Sequence, residues 1–277
     1  MSTDELAPAE LAAARARIAG RGRIVVKVGS SSLTTDGGRR LDPARIEALV
    51  APLADRRLRG EPIVLVSSGA IAAGIGPLGL ARRPKDLATQ QAAASVGQGA
   101  LVAAYAQAFA AYGLTVGQVL LTADDVTRRS HYTNARRTLD RLLELGIVPI
   151  INENDTVATH EIRFGDNDHL AALVAKLVGA DQLVLLSDVD ALYTAPPQNP
   201  GATRIAHVPY GDELAGVEIG ATQSGWGTGG AATKVQAARL AAEAGTAVLL
   251  TETRLLAALL DGEDHGTVFD AGPRRAK

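Results

Sequence analysis

Short runs of aliphatic and β-branched residues recur along the chain, separated by longer stretches with the spacing of a helix. Buried strands are predicted at 23–28, 62–66, 114–121, 147–151, 181–186 and 246–251. Helices are predicted at 43–60, 85–112, 130–145, 167–178 and 235–244, and a short strand or hairpin arm at 160–164. Because strands alternate with helices, the pattern predicts an α/β fold, a three-layer α/β/α sandwich with a mainly parallel central sheet.

Four of the predicted strands end in short polar loops, at 29–32, 67–70, 152–155 and 187–188. The carboxyl ends of parallel strands share one edge of a sheet, and open α/β sheets bind their ligands at that edge. We therefore expect the four loops to converge on one site.

The stretch from 147 to 168 holds two polar clusters. Residues 152–155 (Asn-Glu-Asn-Asp) follow a buried strand, and residues 166–168 (Asp-Asn-Asp) open the next predicted helix. A solvated turn and an Asp/Asn N-cap would explain either cluster alone. Two polar clusters at the two ends of one short connection between a strand and a helix favour a ligand site.

Two loops rich in glycine or serine stand next to a lysine. Gly29 and three serines follow Lys27, and a glycine-rich loop at 224–233 leads to Lys234, one turn inside the next predicted helix. Such loops bind anions through backbone N–H groups and helix N-termini. A packed serine turn and a flexible glycine loop are the structural alternatives. Matches to Gly-x-Gly-x-x-Gly at 74–79 and 225–230 follow no strong strand, so a dehydrogenase is rejected.

Composition narrows the class of protein. The chain of 277 residues can build a sizeable α/β core, and its net charge of −2 gives no long-range attraction to nucleic acid or anionic membranes. It contains no cysteine, which excludes disulfides and thiolate metal sites, and its histidines lack metal-ligand spacing. The N-terminus is unlike a secretory signal, and no apolar stretch is long enough to span a bilayer. A soluble, cytoplasmic protein without nucleic-acid or membrane partners is expected.

Lysine usage points to the chemistry. Only 5 of the 28 basic residues are lysine, so a lysine kept in a buried strand or a glycine loop suggests the need for a compact point charge. Lys27 and Lys234 occupy such places. Two lysines and a carboxylate at a helix start suit phosphoryl transfer, whose transition state is stabilised mainly by fixed cations and N–H donors.

Six segments resemble the amino acid kinase family, in particular its glutamate-phosphorylating branch. They are Val-Val-Lys-Val-Gly-Ser (25–30), Val-Ser-Ser-Gly-Ala-Ile (66–71), Ile-Ile-Asn-Glu-Asn-Asp (150–155), Phe-Gly-Asp-Asn-Asp (164–168), Leu-Ser-Asp (186–188) and Gly-Thr-Gly-Gly-Ala-Ala-Thr-Lys (227–234). The likeness runs in register from about Arg23 to Phe269. It implies an N-terminal extension at 1–22, an amino acid kinase domain at 23–270 and a tail at 271–277. Within that domain, glutamate would bind to the first part and the nucleotide to the part after about residue 180.

The resemblance also implies a reaction. ATP and Mg²⁺ would support direct in-line phosphorylation of the side-chain carboxylate of L-glutamate to L-glutamyl 5-phosphate, the first step of proline biosynthesis. Lys27 and Lys234 would neutralise the transferring phosphoryl group, and Asp168 would orient them. Residues implied to hold glutamate are Ser68, Gly69, Ala70, Asn152, Asp155 and Asn167. Residues implied to hold the nucleotide are Lys27, Gly29, Ser30, Ser187, Asp188, Thr228, Gly229, Gly230, Ala231, Ala232, Thr233 and Lys234.

The family sets further expectations about partners and alternatives. Proline is expected as a feedback inhibitor, glutamyl phosphate reductase as a functional partner, and a dimer or tetramer as the assembly. Members usually carry Met where Ala231 stands, and many have a C-terminal PUA domain, which this chain is expected to lack. The alternatives are family kinases that act on acetylglutamate, aspartate, carbamate or UMP, and a non-catalytic sensor of a nucleotide or an amino acid.

Overall fold

The computed structural model describes residues 12, 15, 16, 20–158, 167–215, 217 and 230–273. Its strands are β1 (Ile24–Val28), β2 (Thr34–Thr35), β3 (Arg40–Leu41), β4 (Ile63–Ser67), β5 (Val116–Leu121), β6 (Val148–Glu153), β7 (Gln182–Ser187), β8 (Leu192–Tyr193), β9 (Arg204–Ile205), β10 (His207–Val208), β11 (Ala247–Glu252) and β12 (Thr267–Phe269). Its α-helices are α1 (Pro43–Leu58), α2 (Ala70–Ile75), α3 (Leu87–Ala110), α4 (Ala123–Thr127), α5 (Arg129–Glu144), α6 (Asn167–Val178), α7 (Ala231–Glu243) and α8 (Leu256–Leu260). Within this part of the chain, no helix has the length and apolar character that crossing a membrane requires. The predicted arm at 160–164 lies outside the described residues.

Eight of the strands form one sheet, in the order β10-β12-β11-β7-β1-β4-β6-β5. Neighbouring strands are parallel except for β11 and β12, which pair antiparallel. The predicted α/β fold with a mainly parallel sheet is confirmed. Each of the six predicted strands begins and ends within two residues of an observed one.

Apolar side chains of the strands alternate between the two faces of the sheet, as the period of two in a strand requires. Val25 of β1 belongs to a buried cluster that includes residues of α5, α6 and α7. Ile24 and Val26 belong to a second cluster, with residues of α1, α3 and α8. The sheet therefore carries a helical layer on each face, which is the predicted three-layer arrangement.

Strand β1 lies in the middle of the sheet and sets the position of the site. It pairs with β4 on one side and with β7 on the other, and β6 follows β4. Its register places Lys27 beside Val66 of β4 and Leu185 of β7. Because all four strands are parallel, the loops that follow them leave the sheet at the same edge.

Helices α2 and α3 pack together unusually closely, through two glycines. A Cβ atom at Gly97 would lie 1.8 Å from the carbonyl oxygen of Ala70, and one at Gly74 would lie 1.9 Å from that of Ala93. Neither position can carry a side chain in this arrangement. The glycines thus bring α3 against the first turn of α2, directly after the polar loop at 67–70.

Candidate active site

Three charged side chains meet at this edge of the sheet. Lys27 comes from β1, Asp168 from the first turn of α6, and Lys234 from the first turn of α7. The Nζ atom of Lys27 lies 2.6 Å from Oδ1 of Asp168, and the Nζ atom of Lys234 lies 2.8 Å from its Oδ2. One carboxylate therefore bridges two lysines that stand far apart in the sequence.

Local structure explains how the three groups reach one another. Lys27 stands two residues after Val25, so its side chain points to the face of the sheet that α6 and α7 cover. Asp168 stands at the N-terminus of α6, where unpaired backbone N–H groups favour a carboxylate. Lys234 lies one turn into α7, because α7 begins at Ala231 and not at residue 235, where the helix was predicted to start.

The cluster is almost completely withdrawn from water. The side chain of Asp168 is fully buried, and those of Lys27 and Lys234 retain 6% and 8% of their exposure. Burial alone would raise the pKa of Asp168, but the attraction of Lys27 and Lys234 outweighs it and holds the pKa below its ordinary value. Asp168 is therefore ionised at neutral pH, and two ammonium groups share its single negative charge.

A network of amides and hydroxyls lies beside the charged cluster. Asn167 Nδ2 donates to Ser68 Oγ at 2.6 Å and lies 3.4 Å from Asn152 Oδ1. The backbone N–H of Ser68 donates to the carbonyl oxygen of Val28 at 3.0 Å. The structure thus brings together three of the residues predicted to hold glutamate, from α6, from the loop after β4 and from the end of β6. Their roles in binding remain predictions.

Gly69 joins this loop to the one that follows β1. It has a φ of 104°, a left-handed conformation that favours glycine, and a Cβ atom there would lie 3.5 Å from Cβ of Ser30. Ala70 begins α2 directly afterwards. Asp155 lies half-buried in the turn after β6. The loops predicted for glutamate and for phosphate are therefore neighbours.

The residues predicted to hold the nucleotide fall into two groups. Asp188, which follows β7, accepts a hydrogen bond from Ser31 Oγ at 2.7 Å, so the loops after β7 and β1 are in contact. Residues 230–234 form the N-cap and first turn of α7, where Thr233 Oγ1 donates to the carbonyl oxygen of Gly230 at 2.9 Å. Ser187 ends β7, whereas Thr228 and Gly229 lie outside the described residues.

Sequence reasoning missed two polar residues of α3 that support the site. Gln98 Oε1 accepts a hydrogen bond from Asn152 Nδ2 at 2.9 Å, and the hydroxyl of Tyr105 lies 2.9 Å from Ser67 Oγ. Tyr105 is fully buried, and this burial raises the pKa of its hydroxyl above the ordinary value. The two residues are seven positions apart on an Ala-rich helix. That spacing is a signal that could have indicated a polar stripe facing the sheet.

The fold and the lysine–carboxylate cluster define a kinase of the α/β class, in which fixed cations face a ligand edge of a parallel sheet. A family model described as the amino acid kinase family matches residues 22–251. The chain belongs to the amino acid kinase family.

Several curated relatives named "Glutamate 5-kinase" cover most of the chain. The protein from Salinispora arenicola is 63% identical over 262 residues, which span 94% of this chain and 71% of that relative. The protein from Clavibacter michiganensis is 61% identical over 257 residues, which span 93% of this chain and 97% of that relative.

Solved structures with the same fold are more distant in sequence. Carbamate kinase from Giardia lamblia bound to AMP-PNP has a TM-score of 0.62 at 17% identity and covers 92% of this chain and all of that one. UMP kinase from Bacillus anthracis has a TM-score of 0.59 at 14% identity and covers 92% of this chain and 98% of that one. At these identities the likeness supports the fold alone.

Proposed function

We propose that this protein catalyses the reaction of glutamate 5-kinases, the transfer of the γ-phosphoryl group of ATP to the side-chain carboxylate of L-glutamate. The product is L-glutamyl 5-phosphate, and the reaction is the first step of proline biosynthesis. The observation that carries the proposal is the buried cluster of Lys27, Asp168 and Lys234, with both Nζ atoms within 2.8 Å of one carboxylate. The identity of 63% to a relative named glutamate 5-kinase supports the choice of substrate.

The chemical step needs no protein nucleophile. A side-chain carboxylate oxygen of glutamate attacks the γ-phosphorus in line, the bond from phosphorus to the bridging oxygen breaks, and ADP leaves. The attacking oxygen carries no proton, so no general base is required. Catalysis then consists of positioning the reactants and of stabilising the negative charge that spreads over the transferred group. We assign the second task to Lys27 and Lys234.

Asp168 has a separate role in this scheme. Its negative charge would repel a phosphoryl group, so it cannot itself stabilise the transition state. Its two oxygens instead hold two flexible lysine side chains at fixed positions, with Nζ atoms at 2.6 and 2.8 Å. We propose that Asp168 orients both ammonium groups before ATP binds, which lowers the reorganisation that the reaction requires.

Glutamate recognition follows from the charges of the ligand. Its α-ammonium group suits the carboxylate of Asp155, and its carboxylates suit hydroxyl, amide and backbone N–H donors. The residues that we assign to glutamate are Ser68, Gly69, Ala70, Asn152, Asp155 and Asn167. The contacts of Asn167 with Ser68 and Asn152 support this assignment, because they join three of these side chains in one network.

We assign the nucleotide to residues at the ends of β1 and β7 and to the glycine-rich segment before α7. These residues are Lys27, Gly29, Ser30, Ser187 and Asp188, and the segment from Thr228 to Lys234. The part after about residue 180 would therefore bind ATP. Among the described residues, no group of three or more His, Cys, Asp or Glu side chains is placed to hold a metal ion. We propose that Mg²⁺ enters with ATP and is held mainly by its phosphates, where it would neutralise part of their charge.

Proline, partner and location remain proposals drawn from the family and from the chemistry. Proline shares the ammonium and α-carboxylate groups of glutamate, so we expect it to compete at Asp155. An acyl phosphate hydrolyses readily, so a reductase that consumes it is the expected functional partner. We propose a cytoplasmic homo-oligomer, in the compartment that supplies ATP.

The decisive test is a hydroxamate assay with glutamate, ATP, Mg²⁺ and hydroxylamine, which traps the acyl phosphate. With glutamate we expect rapid hydroxamate formation. In a coupled assay of ADP release, we expect little turnover with acetylglutamate, aspartate, carbamate or UMP as the phosphate acceptor. Phosphorylation of acetylglutamate but not of glutamate would overturn the proposal. Binding of both substrates without ADP release would favour the sensor instead.

A further inference from the structure

Two glutamines of α3 contact the two ends of the segment 152–158, which contains Asp155. Gln98 accepts a hydrogen bond from Asn152 Nδ2 at 2.9 Å, at the start of the segment. Gln91 Nε2 donates to the carbonyl oxygen of Ala158 at 3.2 Å, at its end. The two glutamines are seven residues apart and so lie on the same face of the helix. We call this pair the glutamine clamp.

Gln98 fixes which way the side chain of Asn152 points. Oδ1 of Asn152 accepts the backbone N–H of Glu153 at 2.9 Å and lies 3.4 Å from Nδ2 of Asn167. Its Nδ2 atom must therefore face the opposite way, where burial demands an acceptor. Gln98 Oε1 supplies that acceptor. The orientation of Asn152 is thus determined from both sides.

The clamp is difficult to explain by stability alone. Gln98 is only 8% exposed, and its Nε2 atom is buried with no hydrogen-bond partner among the described residues. A buried donor without a partner destabilises a fold, and an apolar residue of similar size would avoid that loss. The side-chain amide of Gln98 has one described hydrogen bond, to Asn152. We therefore look for the function of this amide at Asn152.

We propose that the glutamine clamp positions the glutamate pocket of this enzyme. Gln98 holds Asn152 so that its Oδ1 faces Asn167, which in turn donates to Ser68. Gln91 holds the backbone at Ala158, three residues after Asp155. Both are positioning residues, which act through the residues assigned to glutamate. The expected change in the KM for glutamate rests on the proposed function, whereas the expected changes in hydrogen exchange do not.

The test compares Q98L and Q91L with Q107L, a matched control because Gln107 is an exposed glutamine on the same helix. Kinetics with varied glutamate and varied ATP give the two KM values and kcat. For Q98L we expect the KM for glutamate to rise about 10- to 100-fold, since a buried hydrogen bond to Asn152 is lost. The KM for ATP and kcat should stay within about twofold. Q91L should show a smaller rise, and Q107L none.

Hydrogen–deuterium exchange provides a readout that does not depend on the substrate. The backbone amide of Glu153, which is bonded to Asn152 Oδ1, should exchange at least about tenfold faster in Q98L than in wild type. The amides near Ala158 should exchange faster in Q91L. If Q98L fails to fold, the same two measurements on Q91L decide the question.

Each result points in one direction. The proposed role of the clamp would be overturned if hydrogen–deuterium exchange across 152–158 were unchanged in the folded variants. Equal rises in the KM for glutamate and for ATP would also overturn it. A wild-type enzyme that does not phosphorylate glutamate would instead overturn the proposed function. In that case faster exchange in Q98L and Q91L, but not in Q107L, would still support the positioning role.

Discussion

Replacement of Asp168 by Asn is the most informative single perturbation of the site. The change keeps the size of the side chain but removes the one negative charge between Lys27 and Lys234. The amide oxygen can still accept a hydrogen bond from one lysine. The new NH₂ group must face the other lysine, and because both groups are donors, no hydrogen bond can form between them. Both ammonium groups would remain largely buried, at 6% and 8% exposure, with no carboxylate between them.

Two magnitudes follow from this geometry. Removing one partner from a buried ion pair lowers the free energy of unfolding by about 3–5 kcal/mol, because an uncompensated charge remains. For a domain of this size the loss corresponds to a fall in Tm of roughly 10 °C. The effect on catalysis is separate. Losing one preorganised electrostatic contact lowers kcat by about 10² to 10³.

The assay combines thermal unfolding without ligands, coupled ADP release and titration with Mg-ATP. D86N is the matched control, because Asp86 is an exposed N-cap of α3 and Asn caps a helix about as well. We expect D168N to lose stability and turnover, and D86N to keep both. The reasoning would be refuted by a D168N enzyme whose Tm lies within 2 °C of wild type and whose kcat lies within about threefold.

The same variant has a distinct response to acid. The folded-state pKa of Asp168 lies below its ordinary value, so its ion pairs stabilise the protein fully above the unfolded-state pKa of about 3.9. This contribution declines as the pH falls below that value and is gone below the folded-state pKa. The gap in unfolding free energy between wild type and D168N should therefore narrow as the pH falls below about 4.

Three further changes test other parts of the structure. K234A should lower kcat about 10³-fold, because the transferring group loses a fixed cation, while calorimetry finds glutamate affinity within about threefold of wild type. G97A places a Cβ atom 1.8 Å from the carbonyl oxygen of Ala70, so denaturant unfolding should show a loss of about 1–3 kcal/mol or more. Y105F removes the hydroxyl contact with Ser67 and should cost about 1 kcal/mol in the same experiment, with kcat unchanged.

A different result would contradict each of these three predictions. Loss of glutamate binding in K234A would place that lysine in the substrate pocket instead of at the transferring group. A G97A protein as stable as wild type would show that α2 and α3 separate without loss. A large fall in kcat for Y105F would mean that Tyr105 does more than support the end of β4.

The central strands could be predicted because each is a dense run of Val, Ile and Leu that is buried on both faces. β10 and β12 were missed for the opposite reason, since segments of two or three residues carry no periodicity. Their pairing depends on neighbours supplied by the rest of the sheet. A strand that exists only through tertiary contacts leaves little trace in the local pattern.

The site was partly predictable on similar grounds. Lys27 and Lys234 could be singled out because lysine is rare in this chain and both stand beside anion-binding loops. The family resemblance predicted that Asp168 orients both lysines, but the local pattern alone does not show it, because that contact depends on how α6 and α7 pack on β1. Gln98 was missed because its seven-residue spacing from Tyr105 indicates a shared helix face, but not whether that face meets water or a buried asparagine.

The charge of the cluster suggests why a carboxylate is placed where anions must bind. Two buried lysines without Asp168 would attract phosphate strongly, but their repulsion would force the long side chains apart. Asp168 weakens the electrostatic attraction for ATP, but it also fixes both lysine nitrogens within 2.8 Å of its oxygens. We therefore expect D168N to bind ATP at least as tightly as wild type while turning it over far more slowly. Weaker ATP binding in D168N would mean that the lysines, once separated, no longer reach the nucleotide together.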